Sequence, residues 1–191
     1  MVATRGLVSQ AEATLLHDLA RDVVEGAIVE IGSFRGRSTV ALALGAREGH
    51  GAPVYAVEPH EAFQQRAGAP KFGPRDRAAF YRTMLRTRCY RDVRLVNLSS
   101  EEVTPGWSRP VSLLWIDGDH SPTGVRRDLH AWWPHLRPGA LVAFDDAVDA
   151  DGGPFIVIAE EVEAGRLVRV RSVGKVRVLR AVTGGAAPGE R

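Results

Sequence analysis

Residues 113–148, LLWIDGDHSPTGVRRDLHAWWPHLRPGALVAFDDAV, leave few architectures open to the chain. Residues 111–116 are a short, nearly unbroken apolar run, the pattern of a strand buried on both faces of a parallel sheet. Asp117, Asp119 and His120 follow at once. Ser121 and Pro122 then supply a side-chain cap and a fixed φ at a first helical position. Val125, Leu129, Trp132 and Leu136 recur at helical spacing, which predicts a helix to about residue 133 with these side chains against the sheet. Arg137, Pro138 and Gly139 turn the chain into a second apolar run, residues 140–144, which ends in Asp145 and Asp146.

A strand, crossover helix and second strand form a right-handed parallel unit, so both strand ends share one edge of the sheet. Neighbouring strands lie about 4.8 Å apart. Carboxylates of Asp117, Asp145 and Asp146 can then converge on one hard divalent cation, which takes oxygen ligands at about 2.0–2.1 Å if it is Mg²⁺. Acids at strand ends also cap helices or face water, and that alternative stands at this point.

The front half supplies a second ligand-binding pattern at the same edge. Ser9 and Glu12 have the form of a capping box opening a helix to about residue 24, with Ala13, Leu16, Leu19 and Ala20 on its apolar side. Gly26 ends it, and residues 27–31 read as the first central strand. Gly32-Ser33-Phe34-Arg35-Gly36-Arg37-Ser38-Thr39 leads into the next helix; a glycine at each end lets the backbone pass close to a ligand and aims the helix start at it. No Gly-Lys-Ser/Thr follows, and Phe34 stands where a dinucleotide fingerprint would have its middle glycine. Residues 53–57 form the second strand and end in Glu58, placed to accept hydrogen bonds from ribose hydroxyls. Together the loop and the acid favour an adenosine-containing ligand.

Residues 59–74, punctuated by glycine and proline, read as a mobile flap beside that edge, with a plain linker as the alternative, followed by an arginine-rich helix from about residue 75 to 87. Residues 93–98 are a third strand, after which come Ser99 and Ser100. Residues 154–164 read as a helix, and residues 166–182 alternate as an antiparallel hairpin turning at Val173-Gly174. Val168 and Val170 are expected to face inward, with Arg169 and Arg171 outward and Lys175 and Arg177 continuing a basic outer face that protects the edge. One domain over residues 1–182 and a disordered tail over 183–191 are expected.

Composition narrows the function classes. Cys89 is the single cysteine, so an internal disulfide is excluded. No run approaches the ~20 apolar residues of a membrane span, and no signal-peptide core opens the chain, so a soluble cytoplasmic protein is expected. A net charge of +2 gives no strong case for nucleic-acid binding.

The order of elements resembles the class I methyltransferase fold that binds S-adenosylmethionine: an α/β, Rossmann-like doubly wound sheet, mostly parallel, of seven strands with a C-terminal antiparallel hairpin. VEIGSFRGRST (residues 29–39) resembles the segment that wraps the donor's methionine portion, and VYAVEPH (residues 54–60) the ribose-binding segment. The stretch from IDGDH through LRPGALVAFDD is similar to small bacterial O-methyltransferases related to macrocin and rhamnosyl O-methyltransferases and to cephalosporin-hydroxylase-like proteins. The resemblance implies that Gly32, Ser33, Gly36 and Ser38 hold the methionine portion, with Glu30 reaching its ammonium through the local network. It further implies Glu58 at the ribose, Ser99 or Ser100 at the adenine edge and Asp117 beside the donor. Metal-dependent members imply Asp117, Asp145 and Asp146 as ligands of Mg²⁺ or another divalent cation. The catechol type has a lysine base where this chain has His120; His120 and Asp119 are the two candidates for the base.

The expected activity is therefore metal-assisted O-methylation of a hydroxylated small molecule such as a sugar or other natural product. The alternative is a methyltransferase-fold protein that binds the donor and does other chemistry or none. A nicotinamide dehydrogenase lacks its glycine fingerprint, and nucleic-acid amino-methylation lacks an Asn/Asp-Pro-Pro-Tyr/Phe stretch after the fourth strand. The acceptor pocket is left to residues 59–74, residues 147–153 or the partner subunit of a homodimer.

Overall fold

The computed structural model describes residues 8–62 and 72–182. The central part of the expected flap and the expected tail lie outside the described residues. Among those described, seven strands form one sheet: β1 (Ala27–Ile31), β2 (Val54–Val57), β3 (Val93–Val96), β4 (Val111–Ile116), β5 (Leu136–Phe144), β6 (Leu167–Val173) and β7 (Val176–Ala181). Their order is β3-β2-β1-β4-β5-β7-β6. The first five are mutually parallel, and β7 runs antiparallel to both β5 and β6. No helix among the described residues is long and apolar enough to cross a membrane.

The reason for two-sided burial is visible along each central strand. Ile28, Leu113, Trp115, Ala143 and Val178 turn to one face, where α1 (Gln10–Arg21) and α2 (Arg37–Glu48) lie. Val29, Ile31, Leu114, Ile116, Val142 and Phe144 turn to the other, against α5 (Pro122–Trp132) and α6 (Gly153–Glu163). A third cluster joins α2 to α3 (Pro74–Thr87) through Val40, Phe80 and Met84. Val125, Leu129 and Trp132 of α5 are fully buried, as their spacing predicts. Ser121 caps that helix, its Oγ accepting from Gly124 N at 3.0 Å. Ser9 and Glu12 form the expected reciprocal box at α1, with Ser9 N donating to Glu12 Oε2 at 2.7 Å.

Several boundaries differ from the sequence reading. Helix α1 stops at Arg21, with Asp22 as its cap, rather than near residue 24. Strand β3 stops at Val96 because Asn97 turns its amide onto the carbonyls of Glu58 at 2.6 Å and Pro59 at 2.9 Å. Strand β5 begins at Leu136, so that residue pairs with Val111 instead of completing the face of α5; residues 137–139 are absorbed in a register shift before Leu141 pairs with Leu113.

The hairpin reading is also corrected. Val168 and Val170 are exposed, not inward. Strand β6 is the outer edge of the sheet, and the core on the α1 side takes Val176 and Val178 from β7 but only the terminal Val173 from β6. A bulge between Arg169 and Arg171 leaves Val170 without a partner across the ladder and breaks the alternation. The turn consists of Gly174 and Lys175, since Val173 pairs with Val176.

Candidate functional site

Parallel order brings the carboxyl ends of β1, β2, β4 and β5 to one edge, where ligands of open α/β sheets bind. A cavity of about 400 Å³ opens there, lined by the loops after β1, β2, β3, β4 and β5 and by the middle of α5. Gly32, Ser33, Ser38, Glu58, Ser99, Ser100, Asp117, Asp119, His120 and Asp146 all line it. Glu30, Gly36 and Asp145 do not, and each has a different place in the architecture.

Glu30 is fully buried beneath the glycine loop, accepting hydrogen bonds from Ser38 Oγ and, at 2.5 Å, from Thr39 Oγ1. Burial raises its pKa to about 7, against the pull of the two hydroxyls. Glu30 thus anchors the start of α2 to β1, and the Ser38 hydroxyl is turned toward it rather than toward a ligand. The two glycines occupy different surroundings. At Gly32, with φ +85°, a Cβ would stand 2.1 Å from the carbonyl oxygen of Asp117, so the β1 and β4 loops abut there. At Gly36, also φ +85°, the close neighbours are Met84 and Phe80 of α3. Both residues are required by packing of the loop on its own protein. Ser33 is buried, lines the cavity beside Gly32 and Ser38, and its Oγ has no hydrogen-bond partner among the described residues.

Glu58 is held by two backbone donors, Phe34 N at 3.2 Å and His60 N at 2.9 Å. His60 in turn bonds the Phe34 carbonyl through Nε2 at 2.9 Å. These contacts clasp the glycine loop to the β2 loop, and Arg35 ties it to α3 through Asp76 at 2.8 Å. Phe34, His60 and Asp146 carry positive φ values of 46°, 55° and 48°, so three non-glycine residues at this edge hold a strained backbone, as functional sites often do. On the far side, Ser99 caps α4 (Ser100–Val103), its hydroxyl donating to Glu102 Oε2 at 2.7 Å, while Ser100 is buried. Arg127 and Asp128 of α5 join the lining and were not singled out from sequence. Burial lifts Asp128 to a pKa of about 6, partly offset by Ser100 and Arg127.

The acids after β4 and β5 form an alternating chain of charge. Lys175 Nζ lies 2.7 Å from Asp145 Oδ2 and 2.6 Å from Asp146 Oδ1. Asp146 Oδ2 lies 3.1 Å from His120 Nδ1, and His120 Nε2 lies 3.3 Å from Asp117 Oδ1. The chain is open only where Asp117 faces Asp145. Burial, and then that facing carboxylate, push Asp117 well above the ordinary aspartate range. Burial opposes the charge on His120, but Asp117 and Asp146 outweigh it and raise its pKa to about 10. His120 and then Lys175 hold Asp146 well below the aspartate range.

Ligand atoms of Asp117, His120 and Asp145 lie within 4.8 Å of one another, close enough to share a cation. Asp145 is 1% exposed, and among the described residues its Oδ1 has no hydrogen-bond partner. The convergent set therefore has His120 where the sequence reading has Asp146, because Asp146 is taken up by Lys175 and His120. Asp119 stands apart from this cluster, accepting from Ser121 N at 3.0 Å and Ser121 Oγ at 2.9 Å.

The alternation of the hairpin predicts Lys175 on an outer basic face, and the structure corrects this. Its true position follows from topology: β7 runs antiparallel to β5, so the turn before β7 returns to the edge where β5 ends. Ala147 N bonds the Lys175 carbonyl at 3.0 Å, and Lys175 N bonds Glu12 Oε1 at 2.9 Å, fixing the turn there.

Comparison with known proteins gives consistent relatives. The sequence profile of a family described as a methyltransferase domain matches residues 29–147. Among solved structures, cofactor-bound Rv0187 from MTB superposes with a TM-score of 0.70 at 20% identity, over 95% of this chain and 84% of that one. The O-methyltransferase TomG from Streptomyces achromogenes, involved in tomaymycin synthesis and solved in complex with SAM, gives 0.67 at 21% identity over 93% and 82%. CalS11, a TDP-rhamnose 3′-O-methyltransferase of calicheamicin biosynthesis, gives 0.65 at 18% identity over 88% and 76%. At these identities the likeness is one of fold.

Proposed function

The chain belongs to the methyltransferase-domain family, and on that premise we propose that it transfers the methyl group of S-adenosylmethionine to a hydroxyl of a small molecule, with a divalent cation assisting. The carrying observation is that one cavity is bounded on one side by Ser33 and Glu58 and on the other by Asp117 and His120, behind which the buried Asp145 completes the cluster. The buried, unpartnered Ser33 Oγ fits the amino-acid end of the donor, and Glu58, already oriented by two backbone donors, has lone pairs free for ribose hydroxyls. When bound, the donor supplies a methyl group on a sulfonium, which is already activated. The protein's task is then alignment of an oxygen nucleophile with the S–CH₃ bond and removal of its proton.

Asp117, His120 and Asp145 would hold the cation, a reading supported by the orphaned Asp145 Oδ1 and by the repulsion between Asp117 and Asp145. A bound divalent cation lowers the pKa of the acceptor hydroxyl. Lys175 neutralises Asp146 and the second oxygen of Asp145. Asp146 fixes the ring of His120. With His120 in the cluster, Asp119 is the remaining candidate base, and it lines the cavity where it would accept the hydroxyl proton. The O–CH₃ bond forms as the S–CH₃ bond breaks, the proton passes to Asp119, and S-adenosylhomocysteine leaves.

The acceptor class we propose is a sugar or other natural-product hydroxyl, in line with what TomG and CalS11 are described as serving. The test is a methyl-transfer assay over a panel of glycosides and phenols with and without EDTA. Transfer to an oxygen that stops on chelation supports the proposal; donor binding without transfer to any hydroxyl compound counts against it.

A further inference from the structure

The three ligand atoms that converge after β4 and β5 are not all oxygen. Lys175 is the reason: its ammonium stands between Asp145 Oδ2 and Asp146 Oδ1, the space that a cation bound by three carboxylates would need. The positions left are Asp117, the free Oδ1 of Asp145 and His120 Nε2. His120 has a carboxylate behind its other ring nitrogen, as a ligating imidazole typically does. Its Nδ1 lies 3.1 Å from Asp146 Oδ2, which fixes the tautomer and turns Nε2 toward Asp117 at 3.3 Å. Asp146 is itself secured by Lys175. The result is a connected set of supports behind one nitrogen and two oxygen ligands.

From this geometry we infer that the cluster is a mixed imidazole–carboxylate site taking a later first-row transition-metal dication, from iron to zinc, in preference to magnesium. The inference rests on the cation-assisted reading above and specifies the ion's chemical class. Magnesium favours oxygen ligands in near-ideal octahedra and keeps several waters, whereas imidazole suits iron, nickel, copper and zinc, and divalent affinity rises along the first row from manganese. The lysine works in the same direction, since it leaves the site fewer free carboxylate oxygens.

The experiment uses the metal-stripped full-length protein loaded with Mn²⁺ alone, read by electron spin echo modulation, alongside calorimetric titrations of Mn²⁺, Co²⁺ and Mg²⁺. Expected are nitrogen-14 modulation from one imidazole and binding of Co²⁺ about tenfold or more tighter than Mg²⁺. His120→Asp should lose the modulation and bring Mg²⁺ close to Co²⁺; Asp146→Asn should keep the modulation but weaken Co²⁺ about ten- to a hundredfold. Mn²⁺ bound without nitrogen modulation, and Mg²⁺ bound as tightly as Co²⁺, would overturn the inference while leaving cation assistance intact. No measurable binding of any of the three ions would overturn both, making Asp146 and His120 a carboxylate–imidazole base pair. Binding of S-adenosylhomocysteine in the same preparation separates either result from failure of the methyltransferase reading. The wild-type spectrum decides the matter even if a variant fails to fold.

Discussion

Lys175 Nζ stands 2.7 Å from Asp145 Oδ2, joining the last hairpin to the acid that ends the last parallel strand. It is an internal counter-charge for a site that is otherwise strongly acidic. Lys175→Met should leave Asp145 and Asp146 uncompensated and cost about 2–3 kcal/mol of stability, a figure kept modest because Asp146 is 46% exposed. A divalent cation should recover part of that loss, so the rise in melting temperature on adding metal should be larger in the variant than in the wild type. Thermal unfolding of both proteins with and without Co²⁺ measures it.

Asp119→Asn removes the proposed proton acceptor but keeps the length of the side chain and most of its contact with Ser121. The expected result is a loss of about 10²–10⁴ in kcat with S-adenosylhomocysteine affinity unchanged. Single-turnover kinetics and calorimetry check the two halves separately.

Glu30 gives a pH dependence whose sign is fixed by burial. Its folded pKa of about 7 lies above the ordinary 4.5, so between these values the folded state holds more protons than the unfolded one. The associated stability is fully present below about pH 4.5 and is lost as pH rises through 7, amounting to about 3 kcal/mol. Asp128, raised to about 6, adds a slope of the same sign. Glu30→Gln should flatten the curve of unfolding free energy against pH over this window, as followed by urea titration at a series of pH values.

Gly32→Ala should disrupt two loops at once. The residue sits at φ +85°, and the new methyl would press on the carbonyl of Asp117. A loss of about 1–3 kcal/mol from the backbone alone is expected, with weakened metal binding because Asp117 is displaced. Denaturant unfolding and Co²⁺ titration of the variant check both.

Much of this arrangement was legible in the chain. The runs at β1, β4 and β5 are apolar on both faces because helices cover both sides, and that pattern gave the parallel order and the functional edge. Asp117, Asp145 and Asp146 stand out because acids follow those runs directly, whereas His120 reads from sequence only as a candidate base. What could not be read were contacts set by pairing across distant segments. Lys175 alternates with valines and arginines in a hairpin, and only the antiparallel pairing of β7 with β5 carries it to Asp145. The same is true of Val168 and Val170, whose exposure depends on where the helix layer ends. Glycines that look ligand-facing, such as Gly36, were required by Phe80 and Met84, more than forty residues further along.

The most direct test of the account is a calorimetric titration of S-adenosylhomocysteine into the full-length protein and into Glu58→Ala. The account predicts saturable one-to-one binding in the micromolar range, weakened about tenfold or more when the ribose carboxylate is removed. Absence of binding to the wild type, or equal binding to both proteins, would contradict the assignment of this cavity to the methyl donor.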